Sequence, residues 1–267
     1  MSVSINGIAF INPLYNAFAY GRRAALSFFK YTPEELNPIC ITVDDCSPLY
    51  HEQDWNYWHT DMPADRCVFH HFNQSDGLTR SWNWGLSKAR KLGCRYAIAG
   101  NSDILFTPGW YEGLLWHLDR DVALVGPVTN CPGWANGNSQ RQNVKNYYPG
   151  YQLLDDSVYL ADVARHLKET RPIEEIRLLD IGGFFTMATV DRWWAGAFQD
   201  APGKRHVFDP KHKLTNNEVE LQKRWTRRGW TVGCVPSSFI YHYRAVSRGD
   251  RHNHQGWARL DDVHKSV

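Results

Sequence analysis

No apolar run in these 267 residues approaches the roughly 18 to 20 that a membrane-spanning helix requires. The opening Met-Ser-Val-Ser-Ile-Asn carries no charged stretch leading into an apolar one, so no export signal is read there and a cytosolic location is the default expectation. The six cysteines show neither CxxC nor zinc-ligand spacing. Several lie in strand-like contexts such as Ile39-Cys40-Ile41, which marks them as reduced core thiols rather than a disulfide framework. Internal repeats and low-complexity segments are absent too. Charge of one sign is also scarce: 30 basic against 28 acidic residues leave +2, little for a chain built to coat a polyanion. The balance is uneven, since eleven basic residues face four acidic ones between Gly203 and Asn253. Such a stretch attracts an anionic substrate or is an ordinary solvated surface.

What is present is a core-forming composition, 43% hydrophobic, with alternating strand-like and helix-like stretches. Ile5 to Ile11 is short and apolar, Phe18 to Phe29 has helical spacing, and Ile39 to Val43 is β-branched and ends at Asp44-Asp45-Cys46-Ser47-Pro48. Cys67 to Phe72 predicts a further strand, Ser81 to Leu92 a helix stopped by Gly93, and Tyr96 onward a strand running to Asp103. This order implies a mainly parallel sheet flanked by helices, whose ligands bind outside the carboxyl ends of the strands. After Val122 to Val125, residues 126 to about 150 are rich in Asn, Gln, Gly and Tyr and read as a long loop of the kind that covers substrates. Helices over Val158 to Lys168 and Asn217 to Arg228 follow, then a strand from Thr231 to Val235 that leads through Pro236 to Tyr241-His242-Tyr243.

The most informative stretch is Tyr96-Ala97-Ile98-Ala99-Gly100-Asn101-Ser102-Asp103. A small apolar strand delivers one carboxylate to a polar tip, and Pro108-Gly109 then opens an amphipathic helix with Trp110, Leu114 and Leu118 on one face. One carboxylate among small polar residues suits Mg2+ or Mn2+, which takes few protein ligands and fills the rest of its shell with phosphate or water oxygens. The competing reading is a turn former.

In order along the chain, these landmarks resemble the glycosyltransferases of the GT-A fold, in particular the inverting, nucleotide-sugar-dependent family 2. Ile11-Asn12-Pro13-Leu14-Tyr15-Asn16 is similar to the family's first strand and turn, Val43 to Ser47 to its acidic nucleotide turn, and Asn73 to Gly85 to its Gly-containing loop and Asn-x-Gly helix start. Asn101-Ser102-Asp103 falls at the DxD-type metal motif, Gly126 to Asn130 at a following loop, and Gly182-Gly183-Phe184-Phe185 at an acceptor-side turn. Asn217-Glu218-Val219-Glu220-Leu221 matches Glu-Asp-x-Asp-Leu, and His242 matches a histidine near the C-terminal end.

The resemblance implies a single α/β domain of GT-A (Rossmann-like) architecture over residues 1–248, with a nucleotide-sugar half (1–125), an acceptor-side half (126–248) and a tail (249–267). It implies donor contacts at Pro13, Tyr15, Asp44, Asp45, Asn101 and Asp103, acceptor-side residues Gly182, Gly183 and Asn217, Glu218 as general base, and Mn2+ or Mg2+ held by Asp103 and His242. The partners are a nucleotide sugar and a hydroxyl on a glycan or glycoconjugate, a protein or, as the alternative, a hydroxymethylated DNA base. A nucleotidyltransferase or a non-catalytic sugar-binding module are further readings.

The chain departs from the pattern in three places. Only the last acid of the metal motif remains, the catalytic pair reads Asn-Glu, and Trp82 stands where an Arg often precedes the helix Asn, with Arg80 nearby. Competing structural roles are an Asx turn for Asp44 and Asp45, a packed ring between two tyrosines for His242, and a capping box from Asn217 to Glu220. Gln222-Lys223-Arg224-Trp225 reads as helix surface plus one core Trp. Trp55, Trp58, Trp134 and Trp257 sit in loop-like contexts where a ring could stack on a sugar or base.

Overall fold

Small and β-branched apolar residues fill the first strands because a parallel sheet is covered on both faces. In the computed structural model, which describes residues 7–48, 58, 60–132, 140–142, 157–201 and 203–243, β1 (Ile8–Leu14), β2 (Pro38–Asp44), β3 (Cys67–His71) and β4 (Tyr96–Gly100) lie parallel in the order β3-β2-β1-β4. The sheet continues through strands the periodicity does not announce. β5 (Ile104–Phe106) forms one edge, and β8 (Phe185–Thr189) runs antiparallel between β4 and β6 (Leu124–Val128). β7 (Arg177–Leu178) pairs with β11 (Val232–His242), and β9 (Phe198–Ala201) and β10 (Lys204–His206) form a separate hairpin. Strands β1 to β4 are therefore parallel and the whole sheet mixed.

Helices α1 (Phe18–Tyr31), α2 (Leu78–Lys91), α3 (Glu112–Leu118), α4 (Ser157–Thr170), α5 (Val190–Ala195) and α6 (Asn217–Thr226) cover this sheet. The period-2 alternation of β1 divides the core in two. Ala9 and Ile11 pack with Trp82, Leu86, Leu221 and Trp225 of α2 and α6. Ile8, Phe10 and Leu14 pack with Phe18 and Phe28 of α1, with Trp110 in the turn before α3, and with Leu114 and Leu118 on the expected face of that helix. Gly85 sets the spacing of α2 on β1, since a Cβ there would meet Ile11 Cγ2 at 2.4 Å.

The final strand corrects the expected break at Pro236. β11 is continuous from Val232 to His242, parallel to β6 in its first part and antiparallel to β5 at its end. The register shifts between Val235 and Phe239, so Pro236 falls in a bulge where its missing N–H costs no ladder bond. All six cysteines are free thiols, and burial pushes those of Cys40 and Cys234 up to about 12. Among the described residues no helix is long and apolar enough to cross a membrane. The tail 249–267, most of the loop after Pro132, and Trp55, Trp134 and Trp257 lie outside the described residues.

Candidate functional site

The register of β11 brings together residues far apart in sequence. His242 pairs with Ile104, so the tip Asn101-Ser102-Asp103 lies against the end of β11, and the Tyr243 N–H donates to the Asp103 carbonyl at 2.9 Å. Asp103 Oδ1 stands 3.3 Å from His242 Nε2, and the Asn101 side-chain amide is 3.4 Å from the same nitrogen. Both Asp103 and His242 are only 5% exposed. His242 Nδ1 lies 2.7 Å from the Cys131 carbonyl, which can only accept, so Nδ1 carries a proton. In the neutral ring Nε2 then presents a lone pair to a carboxylate oxygen. Two acceptors facing each other at that distance call for a proton or a cation between them, and a histidine oriented through Nδ1–H to a backbone carbonyl is a common arrangement at metal sites.

Sequence reasoning missed the residues that hold His242. The Asn130 side chain accepts the His242 N–H at 2.8 Å and donates to its carbonyl at 3.0 Å, as a neighbouring strand would. Phe184 stacks on the imidazole with ring centroids 5.1 Å apart. Tyr20 packs edge-on against Tyr243, and its phenol is pushed up by burial, with Arg23 opposing and Asp103 adding to the shift. Asn130 lies in the flagged Gly126 to Asn130 stretch, while nothing in the helical pattern of α1 distinguishes Tyr20 from its buried neighbours.

Glu218 borders the same turn, Gly182-Gly183-Phe184, at Gly183. A Cβ on Gly183 would lie 2.8 Å from Glu218 Cδ and 3.1 Å from Oε1, so the half-buried carboxyl rests directly on this glycine. The turn is fastened at both ends. The Gly182 N–H donates to Gln140 Oε1 at 2.7 Å, and the Phe184 carbonyl accepts the Asn101 N–H at 2.8 Å. Gln222 is buried and its amide brackets Ile181, accepting its N–H at 2.7 Å and donating to its carbonyl at 2.8 Å. Gln222 is therefore a tie to the turn and not helix surface, a correction that follows from the α6 face it occupies. The expected capping box also fails. The helix starts from Asn216 in the left-handed region with no side-chain cap, and Glu220 pairs with Arg224 at 2.9 Å instead.

At the rim formed by the carboxyl ends of the first strands, Leu14, Asp44 and His71 lie in one row across β1, β2 and β3. Asp44 is fully buried; its Oδ2 lies 2.6 Å from His71 Nδ1, and it also accepts from the Ser47 hydroxyl and N–H. Asp45 accepts from Ser75 Oγ and the Gly77 N–H, both at 2.7 Å, and from Arg80 at 2.5 Å. Arg80 in turn lies 3.7 Å over the Phe72 ring. Both acids thus build the rim, with the turn to Ser47 that the structural reading anticipates. Tyr15 is exposed beside this row, whereas Pro13 is buried in β1. Trp58 is a core residue packed over Gly21, not a stacking platform. Among the described residues no group of three or more His, Cys, Asp or Glu could hold a metal ion.

The model of glycosyl transferase family 2 matches residues 10–166. Among solved structures, the chain is similar to GalNAc-T7 with UDP, GalNAc and Mn2+ (TM-score 0.62, 16% identity, 88% of this chain and 43% of that one). It is also similar to S. aureus TarS 1-349 in complex with UDP (TM-score 0.55, 12% identity, 88% of this chain and 60% of that one). The chain thus spans less than two thirds of each, and at these identities the likeness speaks to the GT-A fold. No curated protein matches the sequence.

Proposed function

The chain belongs to glycosyl transferase family 2, and on that premise we propose that it moves a sugar from a nucleoside-diphosphate donor to an acceptor hydroxyl with inversion. The observation that carries this reading is that the Asp103–His242 pair and the Glu218 carboxyl border the same Gly182-Gly183-Phe184 turn, His242 against Phe184 and Glu218 against Gly183. Displacement at an anomeric carbon has two electrostatic demands, and they arise on opposite faces. The departing diphosphate gains charge on one, and the attacking hydroxyl must lose a proton on the other.

Asp103 Oδ1 and His242 Nε2 fit a divalent cation. One hard oxygen and one imidazole nitrogen suit Mn2+ better than Mg2+, and such ions leave their other positions to phosphate and water oxygens. When bound, the cation supplies neutralisation of the diphosphate charge. Glu218 takes the proton of the acceptor hydroxyl as its oxygen bonds to the anomeric carbon, while the bond from that carbon to the diphosphate breaks. Glu218 lies in the first turn of α6, where the helix dipole favours a negative charge. Tyr15, exposed at the rim, and Asn101 complete the donor side, while Asp44 and Asp45 act by holding the rim's shape. The acceptor is read as a hydroxyl on a glycan or glycoconjugate.

Replacing Glu218 tests this directly. Glu218→Gln keeps the shape of the side chain and removes its basicity, so transfer is expected to fall by roughly 10² to 10⁴-fold while nucleotide binding persists. Undiminished transfer by that variant removes Glu218 from the mechanism.

A further inference from the structure

Asn217 stands where the resemblance has an acid, and its surroundings demand an amide. The residue is 1% exposed. Its Oδ1 accepts the Glu218 N–H at 3.0 Å, which leaves Nδ2 to donate to Thr79 Oγ1, also at 3.0 Å. The Thr79 hydroxyl has one proton, and it goes to the His212 carbonyl. Towards Asn217 the hydroxyl can therefore only accept, and an ionised carboxylate, itself an acceptor, cannot take the place of the amide.

Beside this bond, Gln222 Nε2 donates to the Glu218 carbonyl at 3.1 Å, one turn further into the helix. Asn216 is left-handed and supplies no side-chain cap. The other side of the tie is rigid, because the Thr79 N–H donates to the Lys213 carbonyl at 3.1 Å. Gly77, at φ +97°, passes so close beneath Lys213 that a Cβ would meet its carbonyl oxygen at 2.6 Å. The first turn of α6 is thus located against the first turn of α2 by the Asn217 amide.

We infer that Asn217 is a positioning residue: by bridging Thr79 and the Glu218 backbone it fixes the first turn of α6 so that the Glu218 carboxyl stays over Gly183. The inference rests on Glu218 being the base. It also accounts for the Asn-Glu pair, since the acid of the family pattern would face the lone pairs of Thr79.

The test measures kcat, donor KM and melting temperature for Asn217→Asp, Asn217→Ala, Thr79→Val and the Asn217→Ala/Thr79→Val double variant, with wild type and Glu218→Gln alongside. Each single variant is expected to lose roughly 10²-fold in kcat with donor KM within about twofold of wild type. The double variant should be no slower than Asn217→Ala, because the same tie is broken once. Thr79→Val breaks the bond from the other side without touching position 217. Unchanged kcat in Asn217→Ala, additive losses in the double variant, or a loss that runs parallel to falling melting temperature and rising KM overturns the inference. If Glu218→Gln transfers at the wild-type rate, the base assignment falls and the inference with it. An inactive Glu218→Gln beside a fully active Asn217→Asp overturns the positioning role alone.

Discussion

Gly183 makes room for the Glu218 carboxyl, which occupies the space a side chain would take. In Gly183→Ala the new methyl meets the far end of a flexible side chain and not the backbone, so the carboxyl swings away at little cost in stability. Transfer should then fall by roughly 10²-fold with the melting temperature nearly unchanged, which steady-state kinetics and a melting curve together would check. Some of this scale was legible in the sequence. Asp103 and Glu218 could be singled out because a polar strand tip and an acidic first helical turn are local patterns. The partners of Asp44 and Asp45 were not, because the carboxylates find His71, Ser75 and Arg80 only after β2, β3 and α2 are packed. The Cys131 carbonyl that fixes the His242 tautomer is likewise invisible before folding.

Among the elements, α6 and β11 carry the site, and each does so through a feature its own sequence understates. The buried face of α6 presents Gln222 to Ile181, which ties the helix to the glycine turn. Gln222→Leu should leave the Ile181 N–H and carbonyl buried without partners, at about 1–3 kcal/mol for each. A lowered midpoint in denaturant unfolding would register that cost, and a wild-type midpoint would show the tie to be dispensable. In β11 the bulge at Pro236–Ser238 lets one strand leave β6 and end against β5, which is how His242 reaches Asp103. The helices other than the six-residue α5, and the parallel strands, were readable from hydrophobic period. β5, β8 and the β9–β10 hairpin were not, since three to five residues are too few for a period and their pairing is set by distant strands.

For the molecule as a whole, one sheet runs from the rim of the first strands to the end of β11, so the two sides of the site share a single frame. A nucleoside diphosphate bound with Mn2+ should stabilise that frame by mass action, by about 2.7 kcal/mol at one hundred times Kd. For a domain of this size that is roughly 5 to 10 °C in melting temperature. A chelator should remove most of the shift and added Mn2+ restore it, whereas a shift indifferent to chelation would take Asp103 and His242 out of donor binding. The order of the landmarks along the chain made the fold readable, but the joining of the halves through β8 and β11 emerges only from sheet topology.

The central claim is a displacement with the leaving diphosphate on the Asp103–His242 side and the proton acceptor on the Glu218 side. It can be tested without knowing the acceptor, by letting water serve as one. Nuclear magnetic resonance of the sugar first released from an α-linked donor, read before mutarotation, reports the configuration at the anomeric carbon. The proposed displacement, with Glu218 as base and the diphosphate leaving from the Asp103–His242 side, predicts the β-anomer. Release of the α-anomer would contradict it.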